Sequence, residues 1–128
     1  MKIFVINLSS ATEKRETMKN TLNQYTKEYI FFEAIDGKNL KDTEYTINLD
    51  WFNPCGNNHT TCGEIGCVLS HYSIWKMMID ENIEQALILE DDIVINNPDF
   101  ISIIEKIPIN MYDLIYVGRK KMTDIKEE

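Results

Sequence analysis

The chain has 128 residues, of which 44% are hydrophobic and 27% are charged, and its formal net charge is −8. This composition excludes an intrinsically disordered chain and is typical of a single globular domain, here residues 1–128. The acidic charge argues against nucleic acid as a partner, because phosphate backbones are bound by stripes of Lys and Arg that this sequence lacks.

The same sequence gives expectations about the compartment. No run of 18 apolar residues occurs, so we expect no transmembrane segment. The apolar start of the chain is too short for a signal peptide, and three cysteines, an odd number, fit a reducing compartment. We expect a cytoplasmic protein, with peripheral association at the inner face of the membrane left open.

The first part of the chain predicts a strand, a helix and a second strand. Residues 3–8 are a continuous apolar run, which is typical of a buried strand. A capping-box pattern over residues 10–13 predicts a helix that runs to about residue 24. Residues 29–35 are rich in aromatic residues and Ile, so they predict a second strand, which the turn residues Asp36 and Gly37 end.

The remaining chain continues this alternation after a polar stretch, residues 38–60, that predicts a long loop. A second capping box at residues 61–64 opens a helix to about residue 81, and residues 86–89 predict a third strand. The pair Asn97-Pro98 predicts the start of a further helix. We expect its inward face to consist of Phe100, Ile103, Ile104 and Ile107.

A fourth strand is predicted over residues 114–117, where another apolar run ends at Gly118. Strands that are separated by helices predict an α/β fold, in which a mostly parallel sheet is flanked by helices.

Three consecutive carboxylates, Glu90, Asp91 and Asp92, directly follow the apolar run of the third predicted strand. Parallel sheets bind ligands at the carboxyl ends of their strands, and adjacent carboxylates repel one another unless they share a cation. In extended backbone Glu90 and Asp92 point to one side and Asp91 to the other. Mg²⁺ and Mn²⁺ suit such oxygen ligands and keep positions open for phosphate oxygens. The alternative is a solvated turn.

Six segments along the chain form a recognisable series. They are FVINL at 4–8, EKR at 13–15, FEAIDG at 32–37, GEIGCVLSH at 63–71, LILEDD at 87–92 and DLIYVG at 113–118. In this order and spacing they resemble the motifs of glycosyltransferase family 25, the family of lipooligosaccharide and procollagen galactosyltransferases. The resemblance extends from residue 3 to about residue 118 and therefore covers nearly the whole chain.

The resemblance implies a GT-A (Rossmann-like) fold, truncated here because members of the family are longer and carry an acceptor-binding C-terminal half. It implies inverting, metal-dependent transfer of a sugar, with galactose favoured, from a nucleotide-sugar donor such as UDP-galactose. The implied acceptor is a saccharide or glycolipid in lipooligosaccharide or lipopolysaccharide biosynthesis. Glu90, Asp91 and Asp92 would hold the Mn²⁺ or Mg²⁺ ion, with Asp92 as the first choice of direct ligand. The catalytic base stays unassigned.

Donor-binding residues are carried over from the same resemblance. Asn7 would bind the nucleotide, Arg15 the diphosphate, and Ala34 and Asp36 the base and ribose. Each also has a structural interpretation, namely a turn for Asn7 and Asp36 and a surface ion pair for Arg15. One departure is Ser10, where members of the family often carry a basic residue.

Ser70 and His71 are expected to line the donor or acceptor site from the second predicted helix. His71 shares a helical face with Glu64 and Cys67, although a histidine in such a position is more often structural. A second metal constellation could be drawn from the cysteines and histidines. Its members are Cys55, His59, Cys62, Cys67 and His71. Their spacing is irregular and contains no CxxC pair, so zinc is not expected.

Two other functions remain open from the sequence. One is a catalytically inactive, truncated homologue that only binds nucleotide. The other is a Mg²⁺-dependent phospho-receiver module, which is also acidic and of this size. The acids of a receiver should follow its first strand, whereas the first predicted strand here ends in Asn7-Leu8. This order favours the glycosyltransferase.

Overall fold

A computed structural model describes residues 1–42 and 62–118. Its contacts separate into two compact units, residues 1–94 and 95–128, which are described in turn. Every strand that the described residues form lies in the first unit. The expectation of a single domain over residues 1–128 stays a prediction.

The first unit is built on a three-stranded parallel sheet. Its strands are β1 (Lys2–Asn7), β2 (Ile30–Glu33) and β3 (Ala86–Glu90), arranged in the order β2-β1-β3. Both neighbours pair with β1 in parallel, with Ile6 opposite Phe32 on one side and Glu90 on the other. Five successive residues of β1 are buried, as expected for a central strand that is covered on both faces. The α/β fold with a parallel sheet is confirmed.

Two helices connect these strands. α1 (Thr12–Leu22) joins β1 to β2, and α2 (Cys62–Asp80) precedes β3. The predicted capping box at residues 10–13 is wrong, because the residue before α1 is Ala11 and no side chain caps the helix. A 3₁₀ helix (Gly37–Asp42) begins the predicted loop. The rest of that loop, residues 43–60, and residue 61 of the second predicted capping box lie outside the described residues.

The two faces of the sheet carry different helices. Phe4 and Ile6 pack with Ile74 of α2, and partly buried side chains from β2 and β3 join them. Because side chains alternate along a strand, Val5 and Asn7 point to the opposite face. There the guanidinium of Arg15, in α1, lies 4.2 Å from the centre of the Phe31 ring. α1 therefore covers one face and α2 the other.

The start of α2 lies against the backbone that follows β2. A Cβ atom added to Gly66 would lie 2.8 Å from the amide nitrogen of Gly37, and one added to Gly37 would overlap the backbone of Cys62. The Ser70 hydroxyl accepts a hydrogen bond from the Ile35 amide at 2.8 Å and donates one to the Gly66 carbonyl at 2.7 Å. Backbone-to-backbone packing thus fixes α2 at the carboxyl end of β2.

The second unit contains α3 (Phe100–Glu105) and a 3₁₀ helix (Ile109–Met111). The start predicted at Asn97-Pro98 is too early, because Asp99 precedes the helix and Asn97 instead accepts the Asp99 amide hydrogen bond at 2.9 Å. The predicted inward face is also wrong in part. α3 buries no residue fully, and Ile103 is 47% exposed.

The predicted fourth strand is not formed. Residues 112–118 have no regular secondary structure, and Leu114, Tyr116 and Val117 are half or more exposed. A strand requires a neighbouring backbone to pair with, and none of the described segments pairs with this one. Within residues 1–42 and 62–118, no helix combines the length and the apolar character needed to cross a bilayer.

Candidate functional site

The candidate site lies at the carboxyl edge of the sheet between β1 and β3. From β1 the chain passes through α1 to β2 on one side, whereas the next crossover, which contains α2, returns to β3 on the other. The point at which connections diverge in this way is where open α/β sheets bind ligands. Asn7 is the last residue of β1, and Glu90 is the last residue of β3.

Asn7 connects the two strand ends on the α1 face. Its Nδ2 donates hydrogen bonds to Asp91 Oδ2 at 2.7 Å and to the Ala11 carbonyl at 3.2 Å. The side chain is almost fully buried, and its Oδ1 accepts no hydrogen bond from any described residue. A buried acceptor without a donor is costly, so this oxygen is suited to a donor group from a bound ligand.

Asp91 has a second partner on the same face. Lys14, in the first turn of α1, places its Nζ 3.3 Å from Asp91 Oδ1. The Asp91 side chain is only 14% exposed, whereas that of Lys14 is 55% exposed. The carboxylate therefore has one oxygen held by an amide and the other by an ammonium group. Lys14 was not singled out for a role from the sequence.

Glu90 turns to the α2 face. Its Oε1 lies 3.4 Å from His71 Nε2 and accepts a hydrogen bond from Cys67 Sγ at 3.5 Å. Cys67 and His71 are one helical turn apart on α2, so they present their side chains on one face. The three donor atoms, one each from Cys67, His71 and Glu90, lie within 4.8 Å of one another.

The surroundings of the Cys67 thiol on the α2 face raise its pKa. Burial, followed by the charges of Glu90 and Asp92 and the hydrogen bond to Glu90, raises the pKa of Cys67 to about 11. β3 ends at Glu90, and Asp91 and Asp92 form a turn, so the alternation expected for extended backbone does not extend over the three acids.

The other predicted donor-binding residues occupy the surroundings of this edge. Ala34 follows β2 and donates its amide hydrogen bond to the Asn7 carbonyl at 2.9 Å. The Asp36 carboxylate accepts hydrogen bonds from the Lys38 amide and the Asn39 side chain, both at 3.0 Å. Arg15 is exposed and stacks on Phe31. Ser70 is buried, and both of its hydrogen bonds are intramolecular.

The structure therefore brings Asn7 together with Asp91, and His71 together with Glu90. Two residues in this arrangement, Lys14 and Cys67, had no site role predicted from the sequence. Lys14 lies in the basic segment next to Arg15, and Cys67 lies four residues before His71. The helical spacing of Cys67 and His71 was the available signal, but it did not indicate Glu90 as their common partner.

Comparison with known proteins identifies the family. The family model described as glycosyltransferase family 25 (LPS biosynthesis protein) matches residues 1–127. The chain belongs to glycosyltransferase family 25. The resemblance found in its sequence motifs is thereby confirmed.

Curated relatives carry related names. The chain is 36% identical over 137 residues to procollagen galactosyltransferase 2 of Homo sapiens. It is 37% identical over 136 residues to a glycosyltransferase 25 family member of Drosophila melanogaster. Procollagen galactosyltransferase 1-B of Xenopus laevis is 34% identical over 131 residues. These alignments cover 98%, 98% and 94% of the chain, but only 22%, 22% and 21% of the relatives. This family 25 chain thus spans about a fifth of their length.

Proposed function

We propose that this family 25 chain forms the donor-binding part of an inverting, metal-dependent glycosyltransferase. It transfers galactose from UDP-galactose to a saccharide or glycolipid acceptor in lipopolysaccharide biosynthesis, at the cytoplasmic face of the membrane. The observation that carries the proposal is the position of Asn7, Glu90 and Asp91 at the point where the sheet connections diverge. The family match and the names of the relatives support the reaction class.

The residues at this edge fit a divalent cation. Three carboxylates follow one another at the end of β3, and the ammonium group of Lys14 lies against only one of them. Asp92, with Glu90 or Asp91, would supply the oxygen ligands that Mn²⁺ and Mg²⁺ prefer. When bound, such an ion supplies positive charge that neutralises the departing diphosphate.

The surrounding groups would bind and orient the donor. The unpartnered Oδ1 of Asn7 is a buried acceptor that a hydroxyl or amine of the nucleotide can satisfy. Lys14 and Arg15 lie in the first turn of α1, where positive side chains can contact a diphosphate. Ala34 and Asp36 would contact the base and ribose.

Ser70 has a different part in this arrangement. Its hydroxyl is occupied by the Ile35 amide and the Gly66 carbonyl, so it fixes the backbone between Ala34 and Asp36. We therefore assign Ser70 as a positioning residue for the nucleotide-binding segment, whereas His71 acts on the acidic edge through Glu90.

Inverting transfer also requires an acceptor hydroxyl and a general base. The acceptor hydroxyl oxygen attacks the anomeric carbon on the face opposite the diphosphate, and the bond between that carbon and the diphosphate oxygen breaks. A general base takes the hydroxyl proton. The residues assigned here bind and orient the donor, and none of them is assigned as the base.

Calorimetric titration of the chain with UDP, with and without Mn²⁺, tests the proposal. We expect binding that requires Mn²⁺ and that Asp92→Asn weakens by about tenfold or more, which is about 1.4 kcal/mol. Asp80→Asn, at the exposed end of α2, is the matched control and should bind like the unchanged protein. Equal affinity of the Asp92→Asn and Asp80→Asn variants would contradict the proposed site.

A second measurement separates a transferase from a nucleotide-binding homologue without activity. Release of galactose from UDP-galactose in water, without acceptor, reports whether the chain activates the donor. Hydrolysis that depends on Mn²⁺ and on Asp92 supports the enzyme. Tight UDP binding without hydrolysis supports the inactive homologue.

A further inference from the structure

Three different kinds of metal ligand meet on the α2 face of the sheet edge. They are a thiol sulfur from Cys67, an imidazole nitrogen from His71 and a carboxylate oxygen from Glu90. Mn²⁺ and Mg²⁺ prefer oxygen ligands, whereas sulfur and nitrogen ligands are characteristic of zinc sites. The chemistry of this cluster therefore differs from that of a purely acidic site.

Two of the three distances in the cluster match those of a tetrahedral zinc site. Zinc bonds of ordinary length, arranged tetrahedrally, separate a bound nitrogen from a bound oxygen by about 3.4 Å and a sulfur from an oxygen by about 3.6 Å. The corresponding distances are 3.4 Å from His71 to Glu90 and 3.5 Å from Cys67 to Glu90. The sulfur and the nitrogen are within 4.8 Å, so they would have to approach by at most about 1.2 Å.

The backbone that carries these ligands is well fixed. Cys67 and His71 are four residues apart within the 19-residue helix α2, whose first turns pack directly on the backbone of Gly37. Glu90 ends β3 and lies opposite Ile6 of the central strand. Rotation of side chains alone would bring the ligands into place. The side chains of His71 and Glu90 are 27% and 51% exposed, so an ion has access from solvent.

We propose that Cys67, His71 and Glu90 form a binding site for Zn²⁺ or a similar transition metal, next to the carboxylate site for Mn²⁺ or Mg²⁺, with which it shares Glu90 as a candidate ligand. The ion is held by Cys67 Sγ, His71 Nε2 and a Glu90 oxygen, and its fourth position is open to water. Three protein ligands with one open position are a common composition for accessible zinc sites. The thiol proton passes to solvent when the sulfur binds the ion.

The proposed site differs from the group of cysteines and histidines considered from the sequence. Zinc was not expected because the cysteines and histidines have irregular spacing and no CxxC pair. Those candidate ligands all lie within residues 55–71. The third ligand comes from Glu90, which the fold brings to the helix from the end of β3.

Titration with Co²⁺ in the absence of nucleotide tests the site, because Co²⁺ substitutes for Zn²⁺ and is visible spectroscopically. The protein carries Cys55→Ser and Cys62→Ser, so that Cys67 is its one remaining thiol. We expect one Co²⁺ per chain, a thiolate-to-cobalt charge-transfer band and the strong visible bands of tetrahedral cobalt. Zn²⁺ should abolish these bands at equimolar amounts, whereas a large excess of Mg²⁺ should not.

Three further substitutions in this background identify the ligands. Cys67→Ser should remove the charge-transfer band, and His71→Gln and Glu90→Gln should each weaken Co²⁺ binding by about tenfold or more. Asp80→Asn, at the exposed end of the same helix, is the control and should bind normally. Circular dichroism establishes that each variant is folded.

Two results would overturn the assignment. One is a cobalt spectrum without a thiolate band in the protein that retains Cys67. The other is unchanged affinity in both the His71→Gln and the Glu90→Gln variants, which need no thiol chemistry to interpret. Neither result depends on UDP or Mn²⁺, so failure of the zinc site and failure of the proposed transferase are separate outcomes.

Discussion

On the two faces of the sheet edge, the neighbouring carboxylates Asp91 and Glu90 differ in burial and in contacts. On the α1 face, Asp91 is nearly buried and is held by the Asn7 amide and the Lys14 ammonium group. On the α2 face, Glu90 is half exposed and contacts a thiol and an imidazole. The two acids are adjacent in sequence, but Glu90 ends β3 whereas Asp91 begins the turn that follows, and their chemical partners differ.

This difference shows that three consecutive acids are not three equivalent metal ligands. Asp91 Oδ2 accepts a hydrogen bond from Asn7 Nδ2 at 2.7 Å, and this contact holds the ends of β1 and β3 together. Glu90 instead contacts Cys67 and His71. We therefore expect substitutions on the α1 face to affect folding and those on the α2 face to affect metal binding. Four measurements can break or sharpen this comparison.

The largest expected effect comes from displacing the helix that carries the α2 face. Gly66→Ala places a methyl group against the backbone of Gly37, where a Cβ would lie 2.8 Å from the amide nitrogen. We expect a loss of about 3 kcal/mol in the free energy of unfolding, the upper range for overpacking. Urea denaturation measures it. Gly118→Ala, where a Cβ meets no atom within 4 Å, should change stability by less than about 0.5 kcal/mol.

Removal of the buried amide tests the α1 face. Asn7→Ala leaves the Asp91 carboxylate and the Ala11 carbonyl without their donor, and we expect a loss of about 2 kcal/mol in the free energy of unfolding. Asn20→Ala, on the exposed surface of α1, is the matched control. If the two variants unfold at the same urea concentration, Asn7 does not hold the strand ends together as described.

The ion pair on the α1 face should contribute less. Lys14 is more than half exposed, so Lys14→Gln should reduce the free energy of unfolding by about 0.5 kcal/mol at low ionic strength. The difference should vanish in high salt, because salt screens exposed charges. Lys2→Gln, which removes a more exposed pair with Glu81 at 3.7 Å, should show a smaller effect. A loss that is independent of salt would point to packing by the Lys14 side chain instead.

The smallest effect concerns reactivity alone. Because burial and the charge of Glu90 raise the pKa of Cys67 to about 11, only about one molecule in a thousand carries the thiolate at pH 8. In metal-free protein that retains only this cysteine, alkylation by iodoacetamide should accelerate as pH rises, with a midpoint near 11. The same protein in denaturant should show a midpoint near the ordinary value of 9.0. Equal midpoints in the folded and the denatured protein would contradict the raised pKa of Cys67 on the α2 face.

The sequence predicted the strands better than their contacts. β1, β2 and β3 were located to within two residues because each is an apolar run that ends at polar residues. The sequence also predicted that Glu90, Asp91 and Asp92 lie at the carboxyl edge of the sheet, because they directly follow a strand of a parallel sheet. The predicted fourth strand was wrong because an apolar run supplies no neighbouring backbone, and the capping box at α1 was wrong because a suitable pattern does not fix the side-chain geometry.

The contacts between residues of the site could not be predicted from the sequence, because they depend on the fold. Asn7 and Asp91 are 84 residues apart, and Cys67 and Glu90 are 23 apart. Only the strand order and the register bring these pairs together. The sequence also placed Lys14 and Arg15 in one basic segment, but the direction of α1 decides that Lys14 meets Asp91 while Arg15 stacks on Phe31.

The central position of β1 has a consequence for how the protein assembles during synthesis. β1 is translated before both of its neighbours, and Lys2 pairs with Ala86, which a ribosome working at ordinary speed adds about 4 to 17 seconds later. Throughout this interval one edge of the six-residue strand β1, which carries four successive apolar residues, has no partner in β3. Nascent chains that end before residue 86 are therefore open to strand addition from other chains, so a chaperone that covers the first residues should raise the yield of folded protein.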